Sequence, residues 1–354
     1  MARRTLVVTN DFPPKTGGIE SFVLAMLTRL PADDLVVLTS REPGDLAFDA
    51  GLDFPVIRYP SGMLLPTGPV TAQAARLARA HHATRVWFGA AAPLALMTPA
   101  LREVGVTRAV ATTHGHEVWW AATPGTRRLL RRIGEDVDVL TYLGEYTRRR
   151  IARALSPAAA ARMVRLTPGV DEKAFVPGAG GDRVRERLGL GDRPVVVCVS
   201  RLVPRKGQDT LIRAWPAVRR AVPDAVLMLI GAGTERARAR LVELAAREGV
   251  ADSVLLVGEV PWGGLPPYVD AGDVFAMPAR DRLGGLEVEG LGIVYLEASA
   301  TGLPVVAGRS GGAPDAVLDG RTGFVVDGRS VDEVAARITQ LLTDRELAAR
   351  MGAA

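Results

Sequence analysis

Short runs of β-branched and aliphatic residues alternate with helical stripes along the whole chain. Residues 5–9, 35–39, 86–89, 109–113 and 139–142 read as buried strands, and between the first two Phe22, Val23, Met26, Leu27 and Leu30 recur at helical spacing. Residues 168–194 break this rhythm with Pro177, Gly178, Gly180, Gly181, Gly189 and Gly191, a composition expected of a connection. A second strand series follows at 194–200, 225–231, 254–260, 274–277, 303–308 and 323–326. Strands alternating with helices make a parallel sheet covered on both faces. The pattern therefore predicts an α/β chain of two Rossmann-like, doubly wound domains, 1–170 and 171–354, with ligands beyond the carboxyl ends of their strands.

Composition narrows the class without changing the architecture. A 354-residue chain that is 48% hydrophobic and 23% charged can bury two substantial cores. The single cysteine, Cys198, lies inside the apolar run 195–199 and is expected to pack as a small hydrophobe, which fits a reducing cytoplasm. Arg3 and Arg4 precede only a short apolar run, so no secretory leader is expected. The longest apolar run, 86–97, contains Pro93 and is shorter than the roughly 20 residues of a spanning helix.

Charge divides unevenly. Residues 1–170 hold 21 Lys and Arg against 14 Asp and Glu, and the remainder 23 against 25. Much of the excess lies at Arg127, Arg128, Arg131 and Arg132, with Leu129, Leu130 and Ile133 expected on the other side of a basic amphipathic helix over 126–134. Such a helix suits contact with an anionic membrane surface. Aromatic residues make up only 5% of the chain and none is interleaved with the basic clusters, so nucleic acid is not an expected partner.

The candidate chemistry gathers where the pattern places strand ends. Residues 285–298 set Glu289 and Glu297 eight positions apart around Gly290, Leu291 and Gly292, with a helix expected from Ile293 and Val294 onward. Glycines beside a helix start allow unpaired N–H groups to approach an anion. At the usual helical rise the two carboxylates stand roughly 10 Å apart, at the edge of an inverting glycosidase's spacing, which favours two grips on one extended ligand. After the first strand of the second series, Ser200-Arg201-Leu202-Val203-Pro204-Arg205-Lys206-Gly207 supplies cations for a diphosphate, with Arg201 and Lys206 favoured over Arg205.

In the first half, Asp11, Gly17 and Gly18 follow a strand and open a helix, and Thr113-His114-Gly115-His116-Glu117 follows another. Four histidines in all and no cysteine cluster make a metal site poor, so no metal is expected. Gly231-Ala232-Gly233 lacks a third glycine at Arg236, which leaves the dinucleotide fingerprint incomplete and a dehydrogenase weakly supported.

Together these residues resemble the family-4 retaining glycosyltransferases of the two-domain GT-B fold, in which the Glu289–Glu297 spacing is the E-x7-E motif and Arg201 with Lys206 the phosphate clamp. The resemblance extends over nearly the whole chain. It sharpens at Asn10-Asp11-Phe12-Pro13-Pro14, at 87–97, at 113–117, at 200–208 and at 288–298, which are similar to the subfamily of GDP-mannose-dependent phosphatidylinositol monomannoside mannosyltransferases. The resemblance implies GDP-mannose as donor, a phosphoinositide-type lipid as acceptor, anomeric retention, no metal cofactor, and a cytoplasmic enzyme peripheral on the inner membrane face.

It further implies an acceptor domain at 1–170 and a donor domain at 171–354. Glu289 and the 290–294 backbone would hold mannose and phosphate, Glu297 the ribose, and Val260 the guanine. His114 would meet the sugar, while Gly17, Gly18 and Asp11 would lie near donor phosphate and acceptor. Against that subfamily, Leu283 stands for a glycine, Glu20 for a glutamine and Trp119 for a small residue. The chain also stops before the closing helices expected to cross back onto the first domain. A soluble acceptor, or a nucleotide-sugar-binding protein of impaired activity, are the alternative readings.

Overall fold

The structure, a computed structural model, describes residues 4–354. The chain divides after Pro168 into two compact units.

The first unit is built on seven parallel strands: β1 (Thr5–Val8), β2 (Leu35–Ser40), β3 (Val56–Tyr59), β4 (Arg85–Phe88), β5 (Arg108–Thr112), β6 (Val139–Tyr142) and β7 (Met163–Arg165), in the order β3-β2-β1-β4-β5-β6-β7. Successive side chains of a strand point to opposite faces, and the sequence uses both. Leu6, Val8, Val36, Leu38, Val86 and Phe88 pack into one core layer, whereas Val7, Leu35, Val37 and Trp87 pack into the other with Phe12, Phe22 and Val23. A strand buried on both sides reads as an unbroken apolar run, which is why these strands are visible in the sequence.

The second unit carries six parallel strands: β8 (Val195–Val199), β9 (Val226–Ile230), β10 (Val254–Gly258), β11 (Val274–Met277), β12 (Val305–Gly308) and β13 (Gly323–Val326), in the order β10-β9-β8-β11-β12-β13. Cys198 is buried in β8, and its burial pushes the thiol up to about 12, so it packs as expected and is no nucleophile at neutral pH. The glycine-rich segment expected to connect the domains belongs mostly to this unit. The Asp270 carboxylate accepts from the N–H groups of Gly178, Gly180 and Gly181 at 2.7 to 3.0 Å, which ties that segment to the sheet's own helices.

Both sheets reverse strand order once, between β1 and β4 and between β8 and β11. Ligand crevices in such sheets open beyond the carboxyl ends of the strands at that reversal. In the second unit β8 delivers 200–207 to this place and β11 delivers 278–289. In the first, β1 delivers 9–17 and β4 delivers Gly89.

Candidate active site

In the second unit Glu289 is the centre of a buried charge cluster. Its Oε2 accepts from Lys206 Nζ at 2.6 Å and from Arg205 Nη1 at 2.7 Å, and Glu289 and Lys206 are both largely removed from solvent. Burial alone would raise the Glu289 pKa, but the charges and hydrogen bonds of Lys206 and Arg205 outweigh it and hold the carboxyl below its ordinary range. Lys206 is lowered from the usual lysine range by burial, with the Arg205 charge adding to the effect and Glu289 opposing it. Arg205, the residue passed over in the sequence reading, is thus part of the cluster. Arg201 lies exposed four residues before it.

The backbone of the glutamate loop is fixed from behind. Glu289 N–H donates to Ser310 Oγ at 3.1 Å, the Ser310 hydroxyl donates to Asp281 Oδ1 at 2.8 Å, and Gly311 N–H donates to the same Asp281 oxygen at 3.1 Å. The two segments touch so closely that a Cβ at Gly311 would come within 2.1 Å of the Glu289 carbonyl. Gly292 then turns the chain into the helix Ile293–Ala300 with φ of 80°, and that helix is pinned by the buried Tyr295 hydroxyl, which donates to Met277 O at 2.8 Å.

Ile293 and Val294 therefore open a helix whose first-turn N–H groups have no carbonyl behind them within the helix. Gly290 is partly exposed beside them, whereas the Leu291 side chain is buried and leaves only its backbone for a ligand. Glu297 is buried farther along the same helix. Val260 follows β10 and is partly buried against the core.

The first unit assembles a separate group. His114 Nε2 lies 2.6 Å from the Gly89 carbonyl, a contact that requires the nitrogen to donate, and the ring meets Phe22 edge-on at 5.4 Å between centroids. Burial lowers the His114 pKa, so the neutral ring, with Nδ1 as acceptor, is the form this site holds. The buried Glu117 carboxylate accepts from His114 N–H at 3.0 Å and stands 3.1 Å from His116 Nε2, fixing the loop that Gly115 bends with φ of 105°.

The helix Gly18–Leu27, which carries Phe22, also carries Glu20 on its first turn. The Glu20 carboxylate folds over Gly17 so closely that a Cβ there would lie 2.2 Å from Oε2, while the space around Gly18 is open. Lys15 Nζ stands 3.5 Å from both Asp11 and Glu20. Burial raises the Glu20 pKa, with the Asp11 charge adding and Lys15 opposing. Asp11, Gly17, Glu20 and Lys15 thus meet at one corner, and Phe22 links that corner to His114. Glu20 and Gly89 were not picked out as site residues. Gly89 meets His114 across 25 positions, which no spacing announces, whereas Glu20 meets Lys15 and Gly17 of its own loop.

The basic helix runs Pro124–Asp136, longer at both ends than expected. Leu130 and Ile133 are buried as expected, but Leu129 is 39% exposed and sits with the arginines, because its position faces away from the sheet. Arg131 pairs with Glu135 at 3.2 Å, Arg132 with Asp136 at 3.6 Å, and Arg127 donates to the Arg153 carbonyl at 2.7 Å. Among the described residues no helix is long and apolar enough to cross a membrane, and no three His, Cys, Asp or Glu residues are grouped to hold a metal ion.

Comparison with known proteins places this geometry. Residues 16–174 match the model of Glycosyltransferase Family 4 and residues 182–354 that of Glycosyl transferases group 1. A GDP-mannose-dependent alpha-(1-6)-phosphatidylinositol monomannoside mannosyltransferase of Mycolicibacterium smegmatis is 51% identical, over 99% of this chain and 92% of its own length. The chain belongs to this family of glycosyltransferases.

A second relative in the family, a GDP-mannose-dependent monoacylated alpha-(1-6)-phosphatidylinositol monomannoside mannosyltransferase of Corynebacterium glutamicum, is 47% identical over 100% of this chain and 92% of its own length. Among solved structures, Anabaena HepE in complex with UDP and glucose superposes with a TM-score of 0.82 at 20% identity, over 99% of this chain and 92% of that one. WaaG, a glycosyltransferase involved in lipopolysaccharide biosynthesis, superposes at 0.71 and 18% identity, over 98% and 93%. At such identities the two superpositions speak to the fold, which is GT-B.

Proposed function

We propose that this chain transfers an α-mannosyl unit from GDP-mannose to a phosphatidylinositol monomannoside, with retention at the anomeric carbon. The observation that carries the reading is the buried Glu289 carboxylate, held by Lys206 and Arg205 beside the open N-terminus of the Ile293–Ala300 helix, in a chain half identical over its length to enzymes named for this reaction.

The chemistry follows from these charges. Departure of GDP breaks the bond from the anomeric carbon to the β-phosphate oxygen and concentrates negative charge on the diphosphate. Lys206, Arg205 and Arg201, together with the first-turn N–H groups of Ile293 and Val294, would meet that charge as it develops. Glu289 would hold sugar hydroxyls, and Glu297 the ribose. The acceptor hydroxyl attacks from the face the diphosphate leaves, and its proton passes to the departing phosphate oxygen. No metal is needed where fixed cations already neutralise the leaving group.

In the first unit, neutral His114 offers a hydrogen-bonding edge, and Asp11 would accept from acceptor hydroxyls. The arginine face of the Pro124–Asp136 helix would hold the enzyme peripherally on an anionic membrane, where its acceptor resides. Incubation with GDP-mannose and phosphatidylinositol monomannoside, followed by mass spectrometry of the lipid, should show one added hexose. Transfer from UDP-sugars but not from GDP-mannose would sink the donor assignment, and transfer only to a water-soluble inositol derivative would sink the lipid acceptor.

A further inference from the structure

Two of the cations that meet the leaving group sit on a single turn. Arg205 and Lys206 belong to the short helical turn Pro204–Lys206, and Gly207, with φ of 80°, passes the chain into the helix Gln208–Ala221. That turn rests on the segment leaving β11. A Cβ at Gly207 would lie 2.2 Å from the Pro278 carbonyl oxygen, and Arg280 N–H donates to the Arg205 carbonyl at 2.8 Å.

The Arg280 side chain grips the far side of the same turn. Its Nη2 donates to both Asp209 carboxylate oxygens at 2.8 Å, and its Nη1 donates to Thr210 Oγ1 at 2.7 Å. The Thr210 hydroxyl donates in turn to the Gly328 carbonyl at 2.9 Å, which anchors the guanidinium to a third loop. Only 15% of the Arg280 side chain is exposed. Its neighbour Asp281 is the residue that holds Ser310 and Gly311 behind Glu289. Two adjacent residues thus brace the cation turn on one side and the glutamate loop on the other.

Asp209 gives Arg280 a role beyond bracing. Its carboxylate follows Lys206 by three positions, and a free anion there would compete with a diphosphate for Lys206 and Arg205. Arg280 occupies both of its oxygens, whereas Arg213, from a more exposed side chain, reaches only Oδ2 at 2.9 Å. We propose that Arg280 is a positioning residue for transfer, which aims Arg205 and Lys206 and keeps the Asp209 carboxylate away from them. The inference rests on the transfer reading above, in which these cations neutralise the departing diphosphate. Charge grows on that group only as the bond breaks, so misaimed cations cost turnover more than they cost donor binding.

The test compares kcat and KM for GDP-mannose in the full chain, Arg280→Met, Asp209→Asn and the double variant. Arg280→Met keeps much of the volume and removes the charge. It should lower kcat roughly 10- to 100-fold, the scale of a misplacement of about 1 Å, with KM changed less. Removing the freed anion should repair the loss: Arg280→Met/Asp209→Asn recovers most of kcat, and Asp209→Asn alone costs less than Arg280→Met. A brace that only stabilised the fold would give no such rescue. If Arg280→Met does not fold, Arg280→Lys, which keeps a cation for Asp209 but cannot also reach Thr210, should show a smaller loss of kcat that Asp209→Asn again relieves. Unchanged kcat on removal of the charge, or a double variant no faster than Arg280→Met, overturns the positioning role and leaves the transfer reading intact. Wild-type protein that moves no hexose from GDP-mannose overturns the transfer reading and this role with it.

Discussion

A carboxylate shared by two cations, as Glu289 is shared by Lys206 and Arg205, stores an electrostatic imbalance that a ligand can use. Glu289→Gln keeps the shape and removes the charge, leaving two cations crowded and one of them buried. Breaking a buried pair from one side costs up to about 3–5 kcal/mol, which a thermal melt at low salt would register as a large fall in Tm. GDP should then restore more stability to the variant than it adds to the wild type, because its diphosphate supplies the missing anion to Lys206 and Arg205. Equal Tm increments from GDP in both proteins would show that these cations do not face the diphosphate.

His114 makes a pH argument at the same scale. Its folded pKa is depressed by burial, so between that value and the unfolded value of about 6.5 the unfolded chain binds more protons than the folded one. Its contribution to stability is therefore complete above about pH 6.5 and is lost as pH falls toward the folded pKa. His114→Gln, which keeps a donor for the Gly89 carbonyl and cannot titrate, should flatten the stability curve below about pH 6.5. Urea midpoints across that range would show it, and a variant curve parallel to the wild type would assign the acid sensitivity elsewhere.

Among the elements, the helix Ile293–Ala300 is the one whose start must be exact, and Gly292 sets it. A side chain at Gly292 meets two obstacles, a φ of 80° and the Tyr295 ring 2.5 Å from the Cβ position, and that ring cannot retreat while its hydroxyl is bonded to Met277 O. Gly292→Ala should cost about 2–4 kcal/mol, of which the left-handed backbone alone accounts for about 1–2, whereas Gly18→Ala, with nothing near its Cβ, should stay within about 0.5 kcal/mol. Chemical denaturation of the two variants separates them, and similar losses would mean that helix starts in this fold simply tolerate no alanine.

The same elements show what the sequence can and cannot convey. Central strands such as β2 and β8 are legible because both faces are buried and the apolar run is unbroken. The edge strands β3 and β7 escape notice: Val56-Ile57-Arg58-Tyr59 is only half-buried throughout and Met163-Val164-Arg165 largely exposed, so neither carries the apolar signal. Glu289 and Lys206 are legible from glycine spacing and strand ends. Arg205's grip on Glu289 spans 84 positions and His114's on Gly89 spans 25, and such pairings exist only once the sheet has set strand ends side by side.

At the scale of the whole molecule the charge is lopsided, and the exposed face of the Pro124–Asp136 helix is where the excess would act. Glu135 and Asp136 neutralise part of it through Arg131 and Arg132, which leaves Arg128 without an ion-pair partner among the described residues and Arg127 bonded only to a carbonyl. Exposed Leu129 adds apolar area among the arginines. Each basic residue at an anionic surface contributes about 1 kcal/mol, so Arg127→Ala/Arg128→Ala should weaken binding to phosphatidylserine-containing vesicles by about thirtyfold. Because the attraction is screened over a Debye length of about 10 Å at 0.1 M salt and about 3 Å at 1 M, the wild type should itself leave the vesicles at high salt. Transfer to a short-chain, water-soluble analogue of the acceptor should be unchanged in the variant, since neither arginine is placed at the transfer site. Sedimentation with vesicles at both salt concentrations reads the first two effects, and wild-type binding that ignores salt or survives the double substitution would mean that this face does not dock the protein on the membrane.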